Sequence, residues 1–453
     1  MDHVVKGSSG NLPQEGKLRV LQLITLSETG GAQKVVYELI RGLTDRRRKN
    51  VPADDVMVEY EVLLACKDSG ALIEWVRESC PEVSIVPLRY MRREIHPLID
   101  LRAFWELRQL IRCFRPHIVH CHSSKAGILG RLAAFFTHVP VTIFTVHGWS
   151  FYGMSGLSQR FFVVLEKWMA QITNAIVCVS KRDVEEGISR TILPSRHELQ
   201  ISESGASSLR AKVIHNGLPL GNGEDGKTGN LAKQQNELVR EAIAKHAVAT
   251  ASPDLKQLST DFEKERPFIV ITVGRLAKAK DPWLFLDLVE KCANENPDDL
   301  LNRVHFFWVG DGPLYEEMKS EICKRNLDGW VTLLGERQDI LSLLKQADVF
   351  LLTSCMEAFP IAILEAMKVG LPILSVEVGG VREQVESGVT GQIVPSREPD
   401  VLWKELKMLL CDAEKRQRYG VASQTRFQRY FSVDKMLQEY EELYRESLTN
   451  IGS

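Results

Sequence analysis

The chain has 453 residues, 44% of them hydrophobic and 26% charged, with a formal net charge of −2. That length is too great for one ordinary core and, at ~150 residues per domain, implies two or three domains. The composition is that of a soluble globular protein able to bury its core without staples, and the charge balance excludes a global field that draws it to nucleic acid, while leaving local basic patches open.

The nine cysteines are scattered and form no C-x-x-C pair. A disulfide framework is not expected, and a reducing compartment fits better. Cys121 and Cys178 sit among apolar strand residues, where small buried thiols are common. Residues 1–17 are polar and lack the apolar segment of a signal peptide. No run of ~18 apolar residues is present, so no transmembrane helix is expected. The expectation is a cytoplasmic protein, with peripheral contact at the inner face of the cytoplasmic membrane left open.

In chain order, Leu18–Ile24 reads as a buried strand, followed by Gly30-Gly31 and an amphipathic helix over about Ala32–Leu43. Further strand-like runs are Val56–Ala65, Val83–Pro87, His117–His120, Val141–Val146 and Ala175–Val179. Helical stretches at Asp100–Phe114, Ala126–Phe136 and Gln159–Ile172 separate several of them. Such alternation predicts βαβ units on a parallel sheet covered on both faces. Ala211–Ile214 is one more strand, after which residues 219–266 are polar, with two Gly-rich clusters and one helix-like piece, Gln234–His246. This stretch reads as a linker or insertion. Alternation resumes with Phe268–Val273 and continues through His305–Val309, Val331–Leu334, Val349–Leu352, Ile373–Val376 and Gly391–Val394. Asp434–Leu448 reads as a final amphipathic helix. The prediction is an α/β chain of two Rossmann-like halves, residues 18–218 and 267–432, with a tail helix over 433–449. Ligands of such sheets bind outside the carboxyl ends of the strands, so the expected site is the cleft where the halves face each other.

The densest chemical signal is Ser354–Gly391. Glu357 follows a strand, Pro360 suits the first turn of the next helix, and Glu365 lies further along that helix. Two carboxylates so spaced can hold sugar and ribose hydroxyls; alone they read equally as exposed helix acids. Gly379-Gly380 lies between a strand and a helix and either admits an anion or forms an ordinary turn. The loop from Gly274 through Arg275, Lys278 and Lys280 to Pro282 offers an arginine fork and a lysine point charge for a diphosphate, or else a solvated basic surface. Two fixed cations can stabilise a leaving diphosphate without a metal, and no His/Asp/Glu cluster shows metal-ligand spacing. In the first half, Glu28-Thr29-Gly30-Gly31-Ala32 and His147-Gly148-Trp149 end strands and can face a ligand, or can be a plain turn and a packed histidine. Gly310-Asp311-Gly312 is a partial dinucleotide fingerprint that lacks its third glycine, so NAD is discounted.

Taken together, Glu357-x7-Glu365, Gly274-Arg275-Leu276, Val309-Gly310-x-Gly312 and Gly379-Gly380 resemble the retaining glycosyltransferases of GT-B fold classified as family 4. The resemblance covers about Leu18–Tyr444. It implies that Arg275 and Lys280 bind the donor diphosphate, that Glu365 holds the ribose, and that Glu357 contacts the donor sugar near the reaction centre. It also implies that Phe359, Pro360 and Ile361 belong to the donor site, that Gly30 and Gly31 approach the phosphates, and that His147 contacts the donor sugar or shapes the acceptor side. By the same resemblance, no metal or other cofactor is required, the nucleotide-sugar is a co-substrate (UDP by the family's habit), and the tail helix crosses back to the first domain. The leaving phosphate would help deprotonate the acceptor in a front-face mechanism. Two departures stand out: Ala358 occupies a position that is often glycine, and the insertion near Pro219–Glu265 is longer than usual.

A narrower likeness lies in the run from His122 to Arg131 followed by Thr145–Trp149. It resembles the bacterial subgroup that builds exopolysaccharide, capsule or glycan chains on polyprenyl-diphosphate lipids, implying a lipid-linked or other glycan acceptor. Residues 89–115 hold seven arginines and three acids interleaved with Leu, Ile, Phe and Trp105. That composition suits either an anionic lipid surface or a helix with its apolar face in the core. The competing readings are a GT-B-fold sugar-nucleotide epimerase and a non-catalytic nucleotide-sugar-binding protein. The Glu357/Glu365 pair and the basic loop favour transfer.

Overall fold

The computed structural model describes residues 17–45, 58–195, 210–221, 267–295 and 304–449. The expected helix-like piece at Gln234–His246, and all of the expected insertion beyond Gly221, lie outside them. The chain divides into two compact units, residues 1–217 with 433–453, and residues 218–432.

The first unit runs β1 (Leu18–Ile24), α1 (Gly31–Thr44), β2 (Tyr60–Cys66), α2 (Ala71–Ser79), β3 (Ser84–Pro87), α3 (Pro97–Phe114), β4 (Ile118–His122), α4 (Ser124–Phe136), β5 (Val141–Val146), α5 (Gly156–Gln171), β6 (Ala175–Cys178), α6 (Lys181–Ser189) and β7 (Arg210–Val213). Its seven strands pair in the order β3-β2-β1-β4-β5-β6-β7, every pair parallel. Right-handed crossovers place α1 and α2 on one face, and α3 to α6 on the other, because the strand order reverses between β1 and β4. Leu21, Leu23, Val119, Cys121, Phe144 and Val146 accordingly pack with Leu107, Ile111, Ala126 and Val163 on the α3–α5 face. Period-two alternation sends Gln22, His120, His122 and Thr145 to the opposite face, where all four are buried.

The second unit runs β8 (Phe268–Val273), α7 (Pro282–Asn294), β9 (Val304–Val309), α8 (Tyr315–Lys324), β10 (Val331–Leu333), α9 (Ile340–Leu344), β11 (Val349–Leu352), α10 (Ile361–Lys368), β12 (Ile373–Val376), α11 (Val381–Gln384), β13 (Gly391–Val394), α12 (Pro399–Cys411) and α13 (Ala413–Tyr430). Its six strands pair in parallel in the order β10-β9-β8-β11-β12-β13. Both sheets switch direction beside their first strand, which opens a crevice at the carboxyl ends there. Prolines start α3, α7 and α12, where a missing N–H costs nothing.

The last helix, α14 (Val433–Thr449), belongs to the first unit. Val433, Met436, Leu437, Tyr440, Leu443 and Tyr444 form its buried stripe, the spacing of a helix with one apolar face. Gly42 of α1 lets it come close: a Cβ there would lie 2.1 Å from Leu437 Cδ1. The chain therefore does cross back, as expected. All nine cysteines are free, and Cys121 and Cys178 are buried.

Candidate functional site

The candidate donor site is built on three loops of the second unit. β8 delivers Gly274-Arg275-Leu276, and the buried Leu276 pins this loop. Gly274 N–H donates to Val309 O at 2.9 Å and Leu276 N–H to Asp311 O at 2.9 Å. Gly310 (φ +135°) and Gly312 are glycines for a steric reason: added Cβ atoms would lie 2.2 Å from Gly274 O and 2.3 Å from Leu276 O. The partial dinucleotide pattern is thus a backing for the Arg275 loop. Arg275 itself is exposed.

Residues Lys278–Lys280 form a 3-10 turn, ended by Asp281 in a left-handed conformation (φ 47°) that caps α7 through Leu284 N–H. The turn is sewn to the loop after β11. Cys355 N–H donates to Ala279 O at 2.9 Å, and Thr353 Oγ1 donates to Lys280 O at 3.1 Å. Arg397 donates to Ser354 O at 2.8 Å and Thr353 O at 2.9 Å and pairs with Asp281. This stitching brings Lys280 Nζ to 2.5 Å from Glu357 Oε1, although 77 positions separate them. Ser354 Oγ donates to the same carboxylate oxygen at 2.6 Å. One carboxylate and one cation singled out in the sequence are therefore in direct contact.

Pro360 precedes α10 instead of entering it, with φ −63° and ψ 120°, and the helix begins at Ile361. Glu365 lies just over one turn into α10 and is only 7% exposed. Phe359 and Ile361 are buried, the Phe359 ring packing on Phe431 at 5.6 Å. Gly379 (φ +50°) has no room for a side chain, since its Cβ would lie 1.9 Å from Glu357 O. Gly380 N–H donates to Ala358 O at 2.7 Å. The double glycine thus holds the Glu357–Ala358 backbone, and the Gly380 N–H is committed to it.

In the first unit, Gly30 is extended (φ −175°) ahead of α1, which starts at Gly31. His147 follows β5 and is partly buried. Its Nε2 lies 3.1 Å from His122 Nδ1, with the two rings stacked. His122 Nε2 lies 2.9 Å from Gln22 Oε1, and Gln22 Nε2–H donates to Tyr444 OH at 3.0 Å. Tyr444 OH is 2.6 Å from His120 Nδ1, while His120 Nε2 is 2.7 Å from Thr145 Oγ1. Burial holds all three histidines neutral: His120 is lowered to about 3, His147 to about 4, and His122 well below the usual range, with neighbouring rings adding to the effect on His120 and His122.

Sequence reasoning missed Gln22, His120 and Arg397, and named His122 only as the head of the run extending to Arg131. The expected strand at His117–His120 actually ends at His122. Alternating histidines in an apolar run were the available signal. Arg397 carried none.

Two parallel Rossmann-like sheets, with a basic loop facing a carboxylate at the strand ends, define the class: a GT-B glycosyltransferase. Residues 29–197 match glycosyltransferase family 4 and residues 256–426 match the glycosyl transferases group 1. The chain belongs to this family and is a glycosyltransferase. It is 30% identical over 346 residues to the Escherichia coli UDP-Gal:alpha-D-GlcNAc-diphosphoundecaprenol alpha-1,3-galactosyltransferase, covering 76% of this chain and 78% of that one. It is 22% identical to the Staphylococcus aureus capsular polysaccharide biosynthesis glycosyltransferase CapM, over 94% of this chain and 96% of the other. Among solved structures, Anabaena HepE in complex with UDP and glucose shares the fold, with a TM-score of 0.69 at 19% identity over 94% of this chain and 99% of that one.

Proposed function

We propose that this enzyme transfers a sugar, with retention of configuration, from a UDP-sugar to a polyprenyl-diphosphate-linked saccharide during polysaccharide assembly. The observation that carries the reading is the Lys280–Glu357 pair, held at 2.5 Å beside the Arg275 loop. In the proposed roles, Arg275 and Lys280 take the donor diphosphate and stabilise it as it leaves, which asks for no cofactor. Glu365 takes the ribose, and Glu357 takes the sugar once the diphosphate draws Lys280 away. Phe359, Pro360 and Ile361 shape the wall of that site. Gly30 and Gly31 approach the phosphates, and His147 accepts from a sugar hydroxyl. The E. coli relative, whose name carries a UDP-sugar and a lipid diphosphate, supports the donor and acceptor classes.

An acceptor of that kind calls for work at the cytoplasmic membrane surface, and the first unit has a suitable face. Among the described residues no helix is long and apolar enough to cross a membrane. Yet α3 exposes Leu98, Leu101 and Trp105, α4 ends in exposed Phe135 and Phe136, and α5 exposes Leu157, Phe161, Val164 and Trp168. Glu94 is exposed, but three other acids in this region are engaged within the unit. Glu106 accepts from the backbone of Arg89 and Tyr90, Asp100 pairs with Lys125, and Glu166 pairs with Arg131. Arg92, Arg93, Arg102, Arg112, Arg115 and Arg160 are exposed. A basic rim around apolar side chains suits anionic lipid.

Thermal unfolding with saturating UDP, GDP or NAD, on wild type and Arg275→Ala, tests the donor. Ligand at ~100 times its dissociation constant adds roughly 2.7 kcal/mol to the folded state. A UDP shift that vanishes in the variant supports the reading and leads to UDP-sugars tested against lipid-diphosphate acceptors. A shift with GDP alone changes the donor, and no shift with either nucleotide defeats the reading.

A further inference from the structure

We propose that Gln22, His122 and Tyr444 are positioning residues that fix the tautomer of His147, so that its Nδ1 presents a lone pair to a sugar hydroxyl. The role in transfer rests on the reading of His147 given above; the tautomer itself does not.

The chain of hydrogen bonds has a direction, and one side chain sets it. Gln22 Oε1 can only accept, so His122 Nε2, at 2.9 Å, must carry a proton. A neutral His122 then has a bare Nδ1, so the proton in the 3.1 Å bond to His147 sits on His147 Nε2. His147 is neutral because burial lowers its pKa to about 4, which leaves Nδ1 bare. Among the described residues no hydrogen bond reaches that nitrogen. On the other side, Gln22 Nε2–H donates to Tyr444 OH at 3.0 Å, so the Tyr444 proton points to His120 Nδ1 at 2.6 Å. His120 Nε2–H then donates to Thr145 Oγ1 at 2.7 Å. Turning the Gln22 amide over would reverse every link and put the proton on His147 Nδ1, converting the acceptor into a donor. In this structure the Tyr444 hydroxyl, supplied by α14, accepts the Gln22 amide N–H, which leaves the amide oxygen to His122.

Packing alone would be served by apolar side chains on this sheet face, because each buried polar group carries a desolvation cost that hydrogen bonding only offsets. Here β1, β4, β5 and α14 all contribute to one continuous polar line ending at His147, a residue only partly buried.

The test is long-range 1H–15N spectroscopy of the full chain labelled at histidine nitrogen, at pH 7. His147 signals are assigned by their loss in His147→Ala. The expected wild-type spectrum shows His147 protonated on Nε2 in a single form. His122→Phe and Tyr444→Phe, each checked for folding of the first unit by amide hydrogen exchange in β1, β4 and β5, should give a tautomer mixture. With transfer measured in parallel, kcat should fall ~10- to ~100-fold at unchanged donor KM, the scale of a misplaced reacting group. A proton on Nδ1 in the wild type, or an unchanged tautomer in His122→Phe, overturns the relay. A single Nε2–H tautomer in the wild type with full transfer in His147→Ala overturns the use of His147 in the reaction instead, so the two failures can be told apart.

Discussion

Replacing Gly310 by alanine probes whether the Arg275 loop is held in place from behind. A Cβ at 310 would sit 2.2 Å from Gly274 O and 2.8 Å from Gly274 C, at a backbone φ of +135°. Both neighbours are main-chain atoms, so no rotamer change relieves the clash. Reaching a tolerable contact of ~3.2 Å requires the 274–276 strand end to move by ~1 Å. The unusual backbone adds strain of order 1–3 kcal/mol. A ~1 Å misplacement of a positioned group costs on the order of 100-fold in turnover, so Gly310→Ala should lose about that factor and bind UDP more weakly. Gly335→Ala is the control: it also has positive φ (+64°), but nothing lies within 4 Å of its Cβ. That variant should lose about 1–2 kcal/mol of stability with turnover largely kept. Urea midpoints give the stability arm, and UDP titration with transfer rates gives the loop arm. Wild-type UDP affinity and turnover in Gly310→Ala would refute the idea that this glycine backs the donor loop.

Other perturbations test the first unit. Arg131 and Glu166 form an ion pair at 2.8 Å with side chains 0% and 1% exposed, and Arg131 Nη1 and Glu166 Oε1 lack partners. Glu166→Leu should cost ~3–5 kcal/mol, while Arg131→Met combined with Glu166→Leu should recover most of it in a urea double-mutant cycle; additive losses would contradict this. Gly42→Ala overpacks Leu437, at a cost of ~1–3 kcal/mol, against a helix-propensity gain of ~1 kcal/mol. A net loss in urea midpoint, relieved by Leu437→Ala, is expected. Because the three buried histidines are depressed below ~6.5, the unfolded chain takes up their protons first. Their stabilising contribution is complete above pH ~6.5 and is lost as pH falls toward about 4. Up to three protons give a slope of at most ~4 kcal/mol per pH unit. Urea midpoints should therefore drop steeply from pH 6.5 to 5, and should drop less in His122→Phe; a flat profile over that range would show the cluster titrating as it does in the unfolded chain.

Strand positions were legible where a parallel strand is buried on both faces and reads as an unbroken apolar run, as in Phe268–Val273 and Val349–Leu352, both found at the expected bounds. Motif spacing likewise pointed to Lys280 and Glu357, which meet. What escaped is set by register between distant strands. Nothing local in Gln22 reveals that parallel pairing sets it opposite His120, 98 residues on. The same limit made Gly310-x-Gly312 look like a dinucleotide loop, since the reason for its glycines is the Gly274 carbonyl. Pro360 fell one position outside its helix because its N-cap geometry depends on the tertiary bond from Gln384 Nε2 to its carbonyl at 2.9 Å.

Because α14 is the last described helix and yet completes the first unit, synthesis and folding run in different orders. A ribosome that has delivered the first seven strands has made a sheet whose Gln22 and His120 still lack the hydroxyl of Tyr444. Residues 218–432, by contrast, are contiguous and can close their own core as soon as they emerge. The second unit is thus free to mature first, and the nascent first unit must wait with a polar sheet face until α14 emerges. A ribosome that stops short of residue 433 would leave a chain able to hold a donor loop but open over its own histidines.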